Sequence, residues 1–316
     1  MDKITTIGLD LAKSVFHVVG FTDHDNEKLK KVLRRKQVLA FFAQLPPCTI
    51  GMEACASSHY WGRELARLGH VVRRIPDQHV KAFLRGNKND YNDARAIAEA
   101  LSRPAMRFVK IKSIEEQDIQ ALHRLRQGVV AERTALCNRL RGLVAEYGLV
   151  VPRGVTVLRR RIPEWLEEAE NGLSDLFRQL LDREYQRLCE LDAHLDYYKR
   201  QLLAHSQQSE ACQRLQTAPG FGPILASCFH SVVGDGSAYR RGRDVAASLG
   251  VVPKQYSTGG KQVLLGISKR GNKYLRALLV HGARSAMRAA ANKDDRLSRW
   301  VNRVRAERGE NKATVA

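Results

Sequence analysis

Thr6-Ile-Gly-Leu-Asp-Leu-Ala-Lys-Ser-Val-Phe-His-Val-Val-Gly20 reads as two short strands joined by a tight turn, because β-branched and aromatic residues cluster between polar punctuation. A hairpin therefore opens the fold, and Asp10 stands at the end of its first strand. Further strands are expected over residues 48–53, 71–75 and 107–111, alternating with helical segments over 38–44, 59–68 and 94–102. Strands that alternate with helices in this way describe an α/β domain. From residue 114 to about 149 the pattern changes to a long helix rich in Leu, Ala, Arg and Glu, and a second long helix is expected over about 173–206. Pro, Gly and charge signals over 151–155 and 159–163 mark a connector between them. The two long helices are equally compatible with coiled-coil arms and with a helical hairpin packed on its own chain. After Gln213 the composition shifts again, and a compact mixed or helical domain is expected, closed by a charged helix over 295–308.

The chain carries 53 Lys and Arg against 33 Asp and Glu, a net charge of +20 over 316 residues. That balance favours a polyanionic partner, nucleic acid first. No stretch approaches the roughly 18 consecutive apolar residues of a membrane span, so a membrane partner is not expected. The start has neither the apolar core nor the cleavage site of a signal peptide, which places the protein in the cytoplasm as an expectation. Six cysteines, at 48, 55, 137, 189, 212 and 228, show no C-x-x-C pair and no His at zinc-finger spacing, so buried free thiols are expected.

Glu53 ends a strand in Ile50-Gly-Met-Glu-Ala54 just as Asp10 does, and strand ends are where α/β sheets build sites. Asp90 and Asp93, in Asn89-Asp-Tyr-Asn-Asp-Ala-Arg95, sit at i and i+3 at the start of a helix and project to one face. Magnesium takes hard oxygen ligands, and nucleases and polymerases use such carboxylates to hold it against phosphate. Each acid alone has a mundane account: Asp90 as a helix N-cap, Asp93 as a first-turn acid, Asp10 or Glu53 as a solvated strand end. Their combination in a strongly basic chain favours the metal site.

Toward the C-terminus, Leu215-Gln-Thr-Ala-Pro-Gly-Phe-Gly-Pro-Ile-Leu-Ala226 has the form of a helix-hairpin-helix. In that motif Gly220 and Gly222 would let the turn approach a phosphate; an ordinary helix–helix connection fits the same residues. Ser257 falls in a flexible loop before Gly259, Gly260 and Lys261. Its hydroxyl is available to attack a phosphate, with Lys261, Lys269 and Arg270 nearby in sequence to take up negative charge. From the spacing alone, a turn-stabilising serine is the better account.

Gly8-Leu-Asp-Leu-Ala-Lys13, Gly51-Met-Glu-Ala54, Asn89-Asp-Tyr-Asn-Asp93, Pro219-Gly-Phe-Gly222, Tyr256-Ser-Thr-Gly-Gly-Lys261 and Ile267-Ser-Lys-Arg-Gly271, in this order, resemble the DEDD transposases of bacterial insertion sequences. That group includes the bridge-RNA-guided recombinases and the Piv-type DNA invertases. The resemblance spans nearly the whole chain. It implies a ribonuclease H-like (RuvC-like) α/β domain over 1–112, a helical, coiled-coil connector over 113–206 and a mainly helical transposase domain over 207–316. It implies that Asp10, Glu53, Asp90 and Asp93 bind Mg2+ and that Ser257 is the nucleophile, with Thr258 as the neighbouring hydroxyl. The implied activity is DNA strand cleavage and exchange through a phosphoserine. Implied partners are element-end and target DNA, a structured bridge RNA and further copies of the chain, as dimer or tetramer. Relatives of this kind continue into another helix beyond the position of Ala316, so the sequence is expected to be a trimmed form or the ordered part of a longer chain. The competing expectations are a RuvC-like junction endonuclease that works with metal alone, an actin-like-fold ATPase or kinase in which Asp10 handles phosphates, and a non-catalytic nucleic-acid scaffold.

Overall fold

A computed structural model describes residues 3–24, 26–85 and 89–316. The chain divides into two compact units, 1–115 and 116–316, and each is described by itself.

The first unit is built on a five-stranded sheet of order β3-β2-β1-β4-β5. Strands β1 (Ile4–Asp10), β2 (Val15–Thr22) and β3 (Glu27–Arg34) form an antiparallel meander. After a short 3-10 turn comes helix α1 (Val38–Ala43), and then β4 (Thr49–Glu53) returns parallel to β1. Helix α2 (Ser58–Arg67) leads to β5 (Val71–Ile75), parallel to β4, and α3 (Asp77–Val80) and α4 (Asp90–Leu101) follow, with α4 on the sheet face of Gly8 and Gly51, opposite α2. Ile7, Leu9, Phe16, Val18, Ile50 and Met52 are fully buried, and Trp61 and Leu65 of α2 pack against them. This mixed sheet with its helices is compatible with the expected ribonuclease H-like domain.

Two expectations change here. Strand β3, Glu-Lys-Leu-Lys-Lys-Val-Leu-Arg, lies at the sheet edge with most of its side chains exposed; charge on an edge strand discourages pairing with other chains and hides the strand's apolar alternation. Residues 107–111 make no strand, only an isolated bridge between Val109 and Arg74. That segment is held instead by the buried Arg74 guanidinium, which donates to Ser58 Oγ at 3.0 Å and to the Lys110 carbonyl at 2.9 Å. Burial lowers its pKa to about 10.

In the second unit the long helices are α5 (Ile114–Ala145) and α7 (Asp175–Gln208), with α6 (Val155–Glu167) between them. They run antiparallel: Arg133 pairs with Asp192 at 2.8 Å, Arg139 with Glu184 at 3.8 Å, and the rings of Tyr147 and Phe177 lie 4.3 Å apart. Leu136, Leu140, Val144, Leu158, Ile162, Trp165, Leu181 and Leu188 form their common core. The expected connector at 159–163 lies inside α6, Pro163 included. A mid-helix proline costs about 3 kcal/mol, and the near-complete burial of Leu158, Ile162 and Trp165 outweighs it.

Helices α8 (Glu210–Gln216), α9 (Pro223–Val233) and α10 (Gly242–Ser248) follow. Then come a hairpin of β6 (Pro253–Gln255) and β7 (Leu264–Ile267) and the helices α11 (Lys273–Ala290), α12 (Arg296–Arg308) and α13 (Glu310–Val315). Leu225, Cys228, Leu249 and Leu275 centre this part. His123 of α5 reaches it, with its ring nitrogens 3.1 Å from Ser227 Oγ and 3.3 Å from the Tyr274 hydroxyl. Among the described residues no helix is long and apolar enough to cross a membrane.

Candidate functional site

Leu9 stands beside Met52 in the parallel β1–β4 pair, so Asp10 and Glu53, the next residues, end adjacent strands on one side of the sheet. Helix α4 brings the other two acids there. A Cβ on Gly8 would collide with the carbonyl oxygen of Ala94 and crowd the Ala98 nitrogen at 2.9 Å; only a glycine lets the helix backbone lie this close to β1. With Gly8 against Ala94 and Ala98, the first turn of α4 falls beside Asp10. Carboxylate oxygens of Asp10, Asp90 and Asp93 accordingly lie within 4.8 Å of one another. Glu53 stands outside that group but close enough that its charge acts on Asp10 and it feels Asp93.

This packing yields a test. Gly8→Ala is expected to destabilise the fold by about 3 kcal/mol or more, because backbone rather than a flexible side chain must give way. A Cβ on Gly51 would meet side-chain atoms of Leu101 at 2.6 Å and Ile97 at 3.0 Å, which can rotate. Gly51→Ala should therefore shift the urea midpoint less than Gly8→Ala, and equal shifts would show that the β1–α4 contact is not the rigid one.

The helix entry leaves Asp90 and Asp93 free for other work. Asn89, not Asp90, caps α4: its side-chain oxygen accepts from the Tyr91 N–H at 2.9 Å. The mundane account of Asp90 as a cap is thereby removed. His17, which stands opposite Asp10 in the β1–β2 register, places Nδ1 3.5 Å from an Asp90 oxygen and packs edge-on against Tyr91. The sequence pattern puts His17 in a strand and gives it no role. The hairpin register was the signal that would have put it beside Asp10.

Crowding shows in the titration of Asp10 and Glu53. The Asp10 carboxyl is raised from 3.8 to about 6, first by burial, then by Asp93 and Asp90, with His17 opposing and Glu53 adding. Glu53 is raised by burial and next by Asp77, with Lys81 opposing. Asp77 itself is lowered by its bond to Lys81, 3.1 Å away, and is a satisfied surface acid. A half-buried Asp10 beside Asp90 and Asp93, all offering only hard oxygen donors, fits a divalent cation, whose charge would offset the repulsion on Asp10.

In the second unit Ser257 is exposed at the neck of the β6–β7 hairpin. The expected flexible loop is a tight turn: Thr258 and Lys261 exchange both backbone hydrogen bonds, at 3.3 and 3.0 Å, around Gly259 and Gly260 with φ +53° and +77°. Two positive-φ residues in a two-residue hairpin loop favour a Gly-Gly pair, as Asn-Gly or Asp-Gly would be favoured. Ser257 Oγ accepts from Gln255 Nε2 at 3.0 Å and from the Val263 N–H at 3.3 Å, so its position is fixed while its own proton remains to be donated.

The turn between α8 and α9 carries Gly220 at φ +86°, and Gly222 is the N-cap of α9. A Cβ on Gly220 would lie 2.5 Å from the Gly282 carbonyl oxygen of α11, and Gly282 is closed to a Cβ by Gly220 in return. Helix packing thus accounts for the glycine at 220. Lys269, at φ +57°, and Arg270 are exposed in a turn locked onto the end of α10: Lys269 N–H donates to the Gly250 carbonyl at 3.0 Å, and Arg276 binds the carbonyls of Leu249 and Arg270 at 2.9 and 2.7 Å.

Comparison with known proteins gives the family. The family model described as Transposase IS116/IS110/IS902 family matches residues 212–298, which include the glycine turn, Ser257 and the basic turn. A second transposase model, for DEDD proteins of the IS110 kind, matches residues 7–149, which include the four acids. The probable family 20 transposase of Pseudomonas aeruginosa is 46% identical over 99% of the chain and 93% of its own length. The transposase for insertion sequence element IS1328 of Yersinia enterocolitica is 42% identical, over 96% of the chain and 90% of its own. The transposase for IS1111A of Coxiella burnetii is 41% identical, over 100% and 87%.

Proposed function

We propose a reaction from one premise: the chain belongs to the IS116/IS110/IS902 family of insertion-sequence transposases. It is a DNA transposase, and its family implies dependence on a divalent metal. This favours strand transfer over the metal-only junction endonuclease and over the actin-like ATPase. The observation that carries the finer reading is the gathering of Asp10, Asp90 and Asp93 within 4.8 Å beside a strand end.

In this reading Asp10, Asp90 and Asp93, with Glu53 at the margin, would hold Mg2+. When bound, such a cation would supply positive charge to a DNA phosphate. Ser257 Oγ forms a bond to the phosphorus, its proton passing to solvent or a nearby base. The bond from phosphorus to one deoxyribose oxygen breaks, and that oxygen leaves as a hydroxyl after taking up a proton. Attack by a hydroxyl of the exchanged strand on the phosphoserine reverses the step and restores Ser257. Lys261, Lys269 and Arg270 are exposed cations suited to backbone phosphates, and the amides at the start of α9, after Gly220 and Gly222, add neutral donors.

The division into a RuvC-like domain over 1–112, coiled-coil arms over 113–206 and a transposase domain over 207–316 belongs to the same proposal. So do assembly as a dimer or tetramer, cytoplasmic location and guidance by a structured bridge RNA that pairs with element-end and target DNA. A chain of net charge +20 suits both nucleic acids.

The test incubates the protein with element-flanking RNA, labelled element-end DNA and Mg2+, and separates products on a denaturing gel. A protein–DNA adduct is expected that requires both the RNA and the cation. Cleavage with no adduct would return the reading to a metal-only nuclease, and an adduct formed equally well without RNA would remove the guide from the proposal.

A further inference from the structure

A second cluster of ligand-type side chains lies wholly within the second unit. His205 is in the last turn of α7, Cys212 near the start of α8 and His230 in the last turn of α9. One nitrogen of each imidazole and the Cys212 sulfur lie within 4.8 Å of one another. In one continuous helix, residues seven apart would be separated by about 10.5 Å along the axis. The chain breaks at Ser209, with φ −89° and ψ 112°, and this turns α8 back so that Cys212 reaches His205. Ser209 Oγ accepts from the Cys212 N–H at 3.3 Å. Gln216 Nε2 bridges Ser206 Oγ at 2.9 Å and the Cys212 carbonyl at 3.1 Å. The juncture is thus held in this geometry by groups other than the three side chains themselves. Cys212 is fully buried and the two histidines are half-buried.

We infer that His205, Cys212 and His230 form a zinc site that ties the end of α7 to α8 and α9. Donor atoms of tetrahedral zinc, at about 2.0–2.3 Å from the ion, stand roughly 3.5 Å apart, so small side-chain adjustments close the observed cluster around one ion. One thiolate and two imidazoles are a borderline-soft set that selects zinc over magnesium, whereas the oxygen-only acid cluster of the first unit has the opposite preference. Three protein ligands leave the fourth position to water. Binding releases the Cys212 thiol proton to solvent, and the site fixes the helix pair that carries the Gly220–Gly222 turn. Sequence spacing gives no hint of it, because the three ligands come from three helices.

The experiment uses the full chain, stripped with chelator and reloaded with Zn2+ or Co2+. We expect one tightly held Zn2+ per chain, and X-ray absorption of the zinc-loaded wild type should show one sulfur and two imidazole nitrogens. The Co2+ form should show a thiolate-to-cobalt charge-transfer band that is lost in Cys212→Ser and kept in Asp10→Asn. His230→Gln, which leaves the thiol in place, should weaken zinc affinity at least tenfold. The inference is overturned by a wild type that retains no zinc, by an absorption spectrum without sulfur, by a charge-transfer band that survives in Cys212→Ser, or by unchanged affinity in His230→Gln. The first two readings need no variant, so they decide the matter even where a substituted chain does not fold.

Discussion

Ser257→Ala is expected to abolish the covalent protein–DNA adduct and to lower strand transfer by about 10^4-fold or more, the scale seen when a nucleophile is removed from a catalytic unit. Folding should hardly change. Ser257 is exposed, and the groups that donate to its oxygen, Gln255 Nε2 and the Val263 N–H, sit in an exposed hairpin where water replaces the lost acceptor. A stability change within about 0.5 kcal/mol is therefore expected, which separates a chemical loss from a folding loss in one thermal melt. Thr258→Ala is the control. Thr258 closes the Gly259-Gly260 turn through its backbone, which alanine preserves, so adduct formation should fall less than tenfold. An adduct that survives in Ser257→Ala and vanishes in Thr258→Ala would move the nucleophile by one residue. Cleavage unaffected by either change would remove the phosphoserine from the mechanism.

How far such a site is legible in the sequence depends on which forces set each element. Strands β1 and β4 are central, with buried runs Ile7-Gly-Leu9 and Ile50-Gly-Met52 interrupted only by glycines that admit a helix, so Asp10 and Glu53 stand out as acids at the strand ends. Strand β3 was illegible because its alternation is carried by Leu29 and Leu33 among lysines, and an edge strand has only one neighbour to reward burial. Residues 107–111 alternate like a strand but are fastened by Arg74, a long-range contact that no local pattern encodes. Pro163 reads as a helix breaker because the cost is local; the compensating burial of Trp165 is not. At the site itself the residue types were legible and the division of labour was not. Asn89 and Asp90 are both good caps, and only the backbone shows that Asn89 takes the role and leaves Asp90 to face His17.

Replacing Asp10 or Asp93 by asparagine should separate stability from activity in opposite directions. Asp10 bears a carboxyl raised from 3.8 to about 6, so the folded protein binds a proton that the unfolded chain has already released between those values. Stability is then greatest below pH 4, falls as pH rises through about 6, and carries the full cost above it. A shift of that size corresponds to about 3 kcal/mol at most, and the partial access of water to Asp10 reduces it. In metal-free protein at pH 8, Asp10→Asn should therefore be more stable than wild type by about 1–2 kcal/mol, with the advantage disappearing at pH 4. Asp93→Asn should give part of the same gain, since Asp93 is the largest charge acting on Asp10. Added Mg2+ should raise the melting temperature of wild type and not that of Asp10→Asn, because one of the oxygens that would hold the ion carries no charge in the variant. Strand cleavage should fall by about 10^3-fold or more in both variants. A destabilised Asp10→Asn with normal metal response would make this aspartate a structural group. A stabilised but inactive one would show that the fold tolerates a repulsive cluster because the cleavage reaction requires it, which is the signature of a site built for a cation rather than of acids left at a strand end.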